Sequence, residues 1–380
     1  MKKSLVLFSN DLRLSDHPVL DYVTAQGKDY VPVYLDYNDS FYSCEFFEIN
    51  LTKRKFISSG IEYLKRKLYL VDKELIIINQ DHRQALVDVL VSHGCKQILI
   101  SRNTTSPLNN LLESMELMLL KNNIFIHYFD SNYLIDLQDL SFPIRNLPYS
   151  FNEFCTKIKG VKLRSAETDP LVPEGVLEIL DDVKKESVPV LHPYKTRLNN
   201  HFSKFLPYLS SGVVSPAELI EAVKHQASIS TVFDAKALKI LTKQLVNLDF
   251  IRASIRNLMP VTFDEVDLSS NQVAQVENWI EGNTDNDMIN AIMHKLKETS
   301  VISLTSKKLT MLYYLKVLNL PAYFGYEYFQ SQLLEFDSSL NMYLWKQYDA
   351  AQLDHEDLIE EIATRKKQLD PEHSFVEFWA

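Results

Sequence analysis

Short apolar runs that alternate with amphipathic stretches dominate the first 130 residues and limit the folds open to this chain. The runs are Leu5–Phe8, Val31–Leu35, Leu75–Ile78, Gln97–Ile100 and Ile124–Tyr128. Helical patterns separate them at Leu51–Leu70, Arg83–His93 and Pro107–Leu120. Strands this apolar need cover on both faces, which helices between parallel strands provide. The alternation therefore predicts an α/β N-terminal domain with a Rossmann-like parallel five-stranded sheet.

The pattern changes twice further along the chain. Between residues 131 and 193 six prolines interrupt it, which is typical of a long surface connection. After Tyr194 no strand pattern occurs, and helical periodicity predicts Pro216–His225, Ala235–Ile255, Met288–Glu298, Lys307–Leu318 and Glu327–Leu334. We therefore expect an α/β domain at 1–130, an interdomain linker at 131–193 and an all-α domain at 194–380.

Composition narrows the classes of function. The net charge of −10 disfavours non-specific attraction to DNA, because phosphate contacts dominate that affinity. Neither glycine-rich phosphate-binding motif occurs, and the chain has only eight glycines. Three cysteines without CxxC spacing exclude four-cysteine metal sites and fit a reducing cytoplasm.

The same composition argues against export, a membrane location and a bound metal. The apolar run that follows the first lysines is too short for a signal peptide, and no later stretch could span a membrane. The histidines His201, His294, His355 and His373 lack the spacing of metal ligands. We expect a cytoplasmic protein without a metal site.

Separated segments, in order along nearly the whole chain, carry a resemblance to one known family. They are LVLFSNDLRLSDHPVL at the start, PVYLD at Pro32–Asp36, PYKTRL at Pro193–Leu198, SKFLPYLSSGVVSP at Ser203–Pro216, Trp279 with Gly282 and Thr284, GYEYFQSQLLEFDSSLNMYLW at Gly325–Trp345, and DPEHSFVEFW at Asp370–Trp379. Together these segments resemble those of DNA photolyases and cryptochromes.

The resemblance implies that the all-α domain is the FAD-type domain of photolyases and cryptochromes, with a U-shaped FAD bound in it. Many members bind a second chromophore on the α/β domain. Asn103–Asn110 is similar to the folate-contacting segment only loosely, which leaves a second antenna chromophore with little support. Two activities are implied: light-driven repair of pyrimidine dimers in DNA, or blue-light signalling.

Ser203 and Lys204 come just before a predicted helix. A hydroxyl, a cation and free N–H groups at a helix N-terminus suit a pyrophosphate. In the family this role belongs to the matching serine and to the tyrosine that matches Tyr194. The resemblance therefore implies Tyr194, Ser203 and Lys204 as cofactor-binding residues, whereas the residues alone equally allow a helix cap with a solvated lysine.

Asp337, Asn341 and Trp345 are spaced by four and share one face if this stretch is helical. The resemblance implies that Asp337 bonds the flavin, that Asn341 lies opposite the flavin N5, and that Trp345 is the first electron donor. Asn341 and Trp345 are thus the candidate catalytic residues, and Asn341 also counts as cofactor-binding. The alternative is that Asp337 caps a helix whose Trp345 lies in the core.

Lys307 and Glu335 correspond to an arginine and an aspartate that the family pairs near the same flavin edge. The charge signs are kept, but the planar bidentate fork of arginine is not. The resemblance implies that both residues contact the cofactor. A solvated surface pair is the alternative.

Departures from the family concentrate in its repair and electron-transfer residues. Gln244 and Asn247 replace a dimer-contacting glutamate and a base-packing tryptophan, and Leu304 and Thr305 replace two further polar contacts. Stacking and a charged hydrogen bond offset the cost of base extrusion in such enzymes, so their loss predicts weak dimer recognition.

Ala322 replaces the second tryptophan of the electron-transfer chain. Tyr313, Tyr314 or Tyr323 would have to substitute for it. Oxidation of a tyrosine also requires a proton acceptor, which predicts a weaker chain.

The interpretation that follows is a flavoprotein with a degraded dimer-repair site and a repurposed light-sensing or redox role, for which a protein partner is expected. Two alternatives stay open: an active FAD-dependent deoxyribodipyrimidine photolyase, which is a carbon–carbon lyase, and a cofactor-free scaffold with the same fold. Weak, salt-sensitive DNA binding also stays open through a predicted basic rim of Lys295, Lys297, Lys307, Lys308, Arg252 and Arg256.

Overall fold

The computed structural model of the protein describes residues 3–36, 47–79, 81–102, 107–166, 172–185, 197–227, 234–258, 267–335, 337–351, 355–370 and 374–379. Tyr194 and part of Asn103–Asn110 lie outside these ranges, so the predictions that rest on them are not tested.

One parallel sheet organises the N-terminal part of the chain. Its strands are β1 (Lys3–Phe8), β2 (Asp29–Leu35), β3 (Ile76–Ile78), β4 (Gln97–Ser101) and β5 (Phe125–Phe129). The spatial order is β3-β2-β1-β4-β5, with Leu5 of β1 opposite Val31 of β2 and Ile98 of β4. The central strand β1 is buried from Ser4 to Phe8, as a strand covered on both faces must be. The predicted five-stranded parallel sheet is confirmed.

Helices account for most of the rest of the described chain. Up to Ala227 they are α1 (Pro18–Ala25), α2 (Leu51–Tyr69), α3 (His82–Ser92), α4 (Pro107–Lys121), α5 (Phe151–Lys157), α6 (Glu174–Lys185), α7 (Arg197–Ser211) and α8 (Pro216–Ala227). Beyond it they are α9 (Ala235–Leu258), α10 (Ser270–Glu281), α11 (Asp287–Thr299), α12 (Leu304–Leu312), α13 (Ala322–Gln332), α14 (Ser338–Asp349), α15 (His355–Leu369) and α16 (Ser374–Trp379).

The described residues from Arg197 onward contain helices and no strand, in agreement with the predicted all-α region. Two details differ from the sequence prediction. The predicted linker contains α5 and α6, because the prolines fall between these helices and at their ends. The predicted helix Lys307–Leu318 is interrupted, since α12 ends at Leu312 and a π-helical turn covers Tyr313–Val317. We call this segment the π-turn.

The chain packs as two compact units. Unit 1 comprises Met1–Phe41, Ile57–Met259 and Glu335–Asp337, and contains the sheet. Unit 2 comprises Tyr42–Phe56, Pro260–Leu334 and Ser338–Ala380. Because each unit gathers separate stretches of sequence, the division at residues 130 and 193 stays a prediction.

Two further properties concern the described ranges only. No helix there is both long and apolar enough to cross a bilayer. Nor do three or more His, Cys, Asp or Glu side chains come together there in a way that could hold a metal ion.

Candidate functional site

Asn341 and Trp345 lie one turn apart on α14 and share a helix face, and Asp337 immediately precedes this helix. Trp345 is fully buried, and Asn341 is 4% exposed. Gly325 of α13 makes room for the indole, because a Cβ at this position would overlap the six-membered ring of Trp345. The close contact between α13 and α14 thus holds Trp345 in one place.

Four aromatic rings form a continuous cluster inside unit 2, which we call the aromatic cluster: Trp279, Tyr314, Phe329 and Trp345. The ring centroid of Trp345 lies 5.5 Å from those of both Tyr314 and Phe329, in edge-to-face geometry. Trp279 lies 4.7 Å from Tyr314 and 5.8 Å from Phe329. The two tryptophans are therefore bridged by two intervening rings, and all four side chains are buried.

Three polar groups of the aromatic cluster are buried without a hydrogen-bond acceptor among the described residues. The indole nitrogens Nε1 of Trp279 and Trp345 and the hydroxyl of Tyr314 find no acceptor among the described residues. Each such group costs about 1–3 kcal/mol relative to a paired one. Burial raises the pKa of the Tyr314 phenol, and the backbone N–H of Gly325 offsets this only in part. The hydroxyl proton of Tyr314 therefore has no acceptor among the described residues.

Tyr313, the preceding residue, has the opposite surroundings. Its hydroxyl donates a short hydrogen bond to Oδ1 of Asp285, although the side chain is only 3% exposed. Burial and this carboxylate together raise the pKa of Tyr313 to about 12. Both tyrosines belong to the π-turn, a geometry that is frequent at functional sites.

The side-chain amide of Asn341 has one unused acceptor. Its Nδ2 donates to the carbonyl oxygen of Tyr326 at 3.3 Å and to Oε1 of Gln330 at 3.1 Å. Because the Tyr326 carbonyl can only accept, the orientation of the amide is fixed. Oδ1 of Asn341 is buried and has no partner in the described part of the chain. A buried acceptor of this kind fits an N–H donor of a ligand.

Lys307 lies on α12, which packs against α14, and is 1% exposed. Glu335, in unit 1, is 8% exposed. The alternative of a solvated surface pair does not fit burial to this extent. An unused carbonyl, a buried ammonium and an oxidisable indole within unit 2 do fit the polar edge of a flavin ring.

Asp337 belongs to an ion pair that the sequence did not reveal. Oδ2 of Asp337 accepts from Nε of Arg252 at 2.8 Å and lies 2.7 Å from Nη2 of the same residue. Nη1 of Arg252 donates a short hydrogen bond to the carbonyl oxygen of Asn132. Both charged side chains are buried in unit 1. The pair fixes Asp337, whatever else that carboxylate contacts.

Asp249 lies on α9, the helix that also carries Arg252, and is fully buried. Its Oδ2 accepts from the backbone N–H groups of Leu134 and Ile135, both at 2.9 Å. Burial raises its pKa to about 7, against the opposing effects of Arg252 and of these two N–H groups. Asp249 thus anchors the segment after β5 to α9 and titrates in an accessible pH range.

The predicted pyrophosphate site needs a correction. Ser203 and Lys204 lie inside α7, which begins at Arg197, so they are not at a helix N-terminus. Their backbone N–H groups belong to the helical ladder and are not free to bind an anion. Ser203 is half-buried, and the exposed Lys204 has its Nζ 3.4 Å from Oδ2 of Asp182. Their role as cofactor contacts stays a prediction that rests on side chains alone.

The predicted basic rim is incomplete, because two of its six members, Arg252 and Lys307, are buried. Arg252 is buried against Asp337, and Arg256 lies 2.9 Å from Oδ1 of Asp130. Lys297 pairs with Glu281. Lys295 lies over the rings of Phe375 and Trp379 of α16, at 5.3 and 5.8 Å, and Lys307 is buried. Charges engaged in this way are poorly placed to release counterions from DNA.

Sequence reasoning missed three members of these arrangements. Arg252 is predicted as part of the basic rim, yet it is an interior ion-pair partner. Trp279 was noted only as a family match, and Asp285 was not noted at all. The sequence signal that could have indicated Asp285 is its position next to Asn286, directly before α11, since a carboxylate at the end of a connection can reach a neighbouring helix.

Comparisons with known proteins agree with this architecture. The sequence model of the DNA photolyase family matches residues 4–174, and that of the FAD binding domain of DNA photolyase matches residues 242–380. A cryptochrome DASH from Idiomarina loihiensis is 22% identical, covering 99% of this chain and 92% of the relative.

Solved structures show the same fold. The crystal structure of the Synechocystis sp. PCC6803 cryptochrome superposes with a TM-score of 0.80 at 19% identity, covering 100% of this chain and 88% of that one. A bacterial class III photolyase from Agrobacterium tumefaciens gives a TM-score of 0.74 at 16% identity, covering 100% and 86%. With both family models matched in chain order, the chain belongs to the DNA photolyase/cryptochrome superfamily, as a diverged member whose cofactor is FAD.

Proposed function

We propose that this chain is a light- or redox-responsive flavoprotein rather than an efficient repair enzyme for pyrimidine dimers. The observation that carries the proposal is the state of Asn341, whose amide is fixed by two hydrogen bonds and whose Oδ1 is buried without a partner among the described residues. An acceptor buried in this way implies a ligand donor opposite it.

FAD supplies blue-light absorption and one-electron chemistry when it is bound. The residues of this chain have separate tasks. Asn341 accepts from an N–H group at the ring edge, and the buried ammonium of Lys307 favours negative charge near that edge. Trp345, one turn from Asn341, is an oxidisable ring kept away from water. We further propose Tyr194, Ser203, Lys204, Glu335 and Asp337 as cofactor contacts.

Loss of dimer repair is supported by the residues of α9. Gln244 and Asn247 are half-buried on this helix and provide neither a carboxylate nor a broad stacking face. The basic side chains expected to attract DNA are largely engaged within the protein. A protein partner therefore fits the chain better than damaged DNA does.

A cytoplasmic location is part of the proposal. Cys95 and Cys155 are free thiols, and Cys95 is buried. Free thiols suit a reducing compartment.

The test is a purification followed by flavin titration. We expect a yellow protein that releases FAD on denaturation. Asn341→Ala should weaken FAD affinity at least about tenfold, because a buried partner is lost. Asn152→Ala, on the surface helix α5, is the matched control and should bind as the wild type does. A colourless protein that does not bind added FAD would favour the cofactor-free scaffold.

A repair assay distinguishes the proposed flavoprotein without efficient repair from an active photolyase. An irradiated oligonucleotide is incubated with the FAD-loaded protein under blue light and at physiological salt. We expect no preference for dimer-containing over undamaged DNA and no multiple turnover. Tight dimer-specific binding with repeated repair would make the protein an active photolyase instead.

A further inference from the structure

Two consecutive tyrosines in the π-turn differ in whether their phenolic proton can leave. Tyr314 is fully buried, and its hydroxyl has no acceptor in the described chain. The Tyr313 hydroxyl already donates a hydrogen bond to Oδ1 of Asp285. When a phenol loses an electron its acidity rises steeply, so a tyrosine with a hydrogen-bonded base is oxidised far more easily than one without.

Asp285 is suited to receive and release that proton. It lies in the connection between α10 and α11 and is exposed to solvent, while the ring of Tyr313 is 3% exposed. The pair thus joins a buried ring to a carboxylate that water can reach. Protons can pass from the protein interior to solvent through this one hydrogen bond.

The aromatic cluster leads from Trp345 to Tyr314, the residue that follows Tyr313 in the chain. Tyr314 follows Tyr313 in the π-turn, and its ring lies 5.5 Å from Trp345 and 4.7 Å from Trp279. Centroid distances of this size are ordinary contacts between packed rings. An electron vacancy on Trp345 therefore has oxidisable neighbours on the side of the π-turn, although Ala322 cannot take part.

We propose that Tyr313 and Asp285 form a proton-coupled redox pair at which an electron vacancy created on Trp345 comes to rest. This inference rests on the proposed function, since light-excited flavin is the oxidant that takes one electron from Trp345. Tyr313 then loses one electron, which returns through the aromatic cluster to Trp345, and its proton moves to Oδ1 of Asp285. The products are a neutral Tyr313 radical and a neutral Asp285 carboxylic acid.

An external thiolate restores the pair. It gives one electron to the Tyr313 radical and leaves as a thiyl radical, and Asp285 returns its proton, so that the phenol and the carboxylate are restored. Tyr314 cannot be the resting site, because its oxidation would leave a cationic radical buried without a base. The two neighbours therefore have different tasks, with Tyr314 as a bridge and Tyr313 as the end point.

The first experiment needs no cofactor. The pKa of Tyr313 is measured in the purified protein by NMR titration of tyrosines labelled at Cζ, with Tyr313→Phe used for assignment. We expect a value near 12 in the wild type and a value lower by about one unit in Asp285→Asn, since the neighbouring negative charge is gone. An unchanged pKa in Asp285→Asn would show that the pair does not exist.

The second experiment detects the radical itself. FAD-loaded protein is illuminated and followed by electron paramagnetic resonance. We expect a tyrosyl signal in the wild type and in the control Tyr323→Phe, and its loss in Tyr313→Phe. In Asp285→Asn the signal should form on the order of a hundredfold more slowly, because the base is lost.

The outcomes are distinct. A tyrosyl signal that persists in Tyr313→Phe, or that forms at the wild-type rate in Asp285→Asn, overturns the inference while flavin binding stands. Protein that binds no FAD rejects the proposed function and the redox assignment with it, and the NMR result still decides whether the hydrogen-bonded pair exists.

Discussion

Two sets of buried polar groups differ in this molecule: the guanidinium groups of Arg13 and Arg252 in unit 1, and the polar atoms of the aromatic cluster in unit 2. In unit 1, all three guanidinium nitrogens of Arg13 donate to acceptors, and those of Arg252 are equally engaged with Asp337 and Asn132. In the aromatic cluster of unit 2, two indole nitrogens and one hydroxyl have no acceptor among the described residues. The polar atoms of the two arginines are satisfied, whereas the aromatic cluster keeps three polar groups that have no acceptor there.

This difference teaches how to separate structural from functional residues. A satisfied buried ion pair is costly to break, because each partner depends on the other. An unsatisfied buried group is costly to keep, and its retention calls for a reason other than packing. Tryptophan and tyrosine differ from phenylalanine chiefly in polarity and in ease of oxidation, and oxidation is the property that the aromatic cluster can use.

The largest effect is expected for Arg252→Met in unit 1. The substitution keeps most of the side-chain volume but removes the guanidinium that pairs with the buried Asp337 carboxylate. We expect a loss of about 3–5 kcal/mol in the free energy of unfolding, measured by urea denaturation. Arg256→Met is the control, since its pair with Asp130 is partly exposed and should contribute less than about 1 kcal/mol. If both substitutions lowered the free energy of unfolding by the same amount, the buried pair would be worth no more than the partly exposed one.

The pH dependence of stability gives the second prediction. Because burial raises the pKa of Asp249 to about 7, the folded protein binds a proton there that the unfolded chain, with its ordinary value of 3.8, releases. The contribution of Asp249 to stability is therefore most favourable below pH 4 and is lost as the pH rises to 7. The slope reaches at most about 1.4 kcal/mol per pH unit.

Asp249→Asn removes this titration and keeps a side-chain oxygen for the N–H groups of Leu134 and Ile135. Subtracting its unfolding curve from that of the wild type at each pH isolates the effect. If the difference does not change between pH 4 and pH 8, Asp249 is not the titrating group.

The third prediction concerns the space at Gly325. Gly325→Ala should cost about 1–3 kcal/mol, because the added methyl group overlaps the Trp345 ring. In the double variant with Trp345→Phe the smaller ring leaves room, so the two effects should not add. Simple additivity in a double-mutant cycle would mean that the ring lies elsewhere.

The smallest effect is expected for Tyr314→Phe, which removes only an unsatisfied hydroxyl. The free energy of unfolding should not fall, and it should rise by about 1 kcal/mol, because the cost of a buried hydroxyl without an acceptor is removed. Tyr313→Phe provides the comparison, since it breaks a charge-assisted hydrogen bond worth about 1.5–3 kcal/mol. A large loss on Tyr314→Phe would show that its hydroxyl has a structural partner, which would remove the contrast between the two regions.

The sheet could be predicted from sequence nearly to the residue. β4 was expected at Gln97–Ile100 and covers Gln97–Ser101, because an apolar run between two helical patterns leaves few other choices. The relative position of Asn341 and Trp345 could be predicted as well, since a spacing of four within one helix places both side chains on one face.

Interactions between distant parts of the chain could not be predicted. Asp285 and Tyr313 are 28 residues apart, and Arg252 and Asp337 are 85 apart, so no local pattern relates them. A charged residue on an amphipathic helix is usually solvated, and only the presence of its partner decides otherwise. The position of Ser203 within α7 was not predicted for a different reason, because Thr196 and Ser203 are both residue types that can cap a helix, and α7 begins at Arg197.

The π-turn also has a consequence for how this protein can change in evolution. Its successive side chains are separated by roughly 80° instead of the 100° of an α-helix, and Tyr313, Tyr314 and Leu315 are all buried. Deletion of a single codon within the turn would close it to an α-helix and rotate one tyrosine away while both remained in the sequence. A lineage can therefore gain or lose this arrangement in one step, and the presence of both tyrosines in a relative does not by itself indicate that the turn is present.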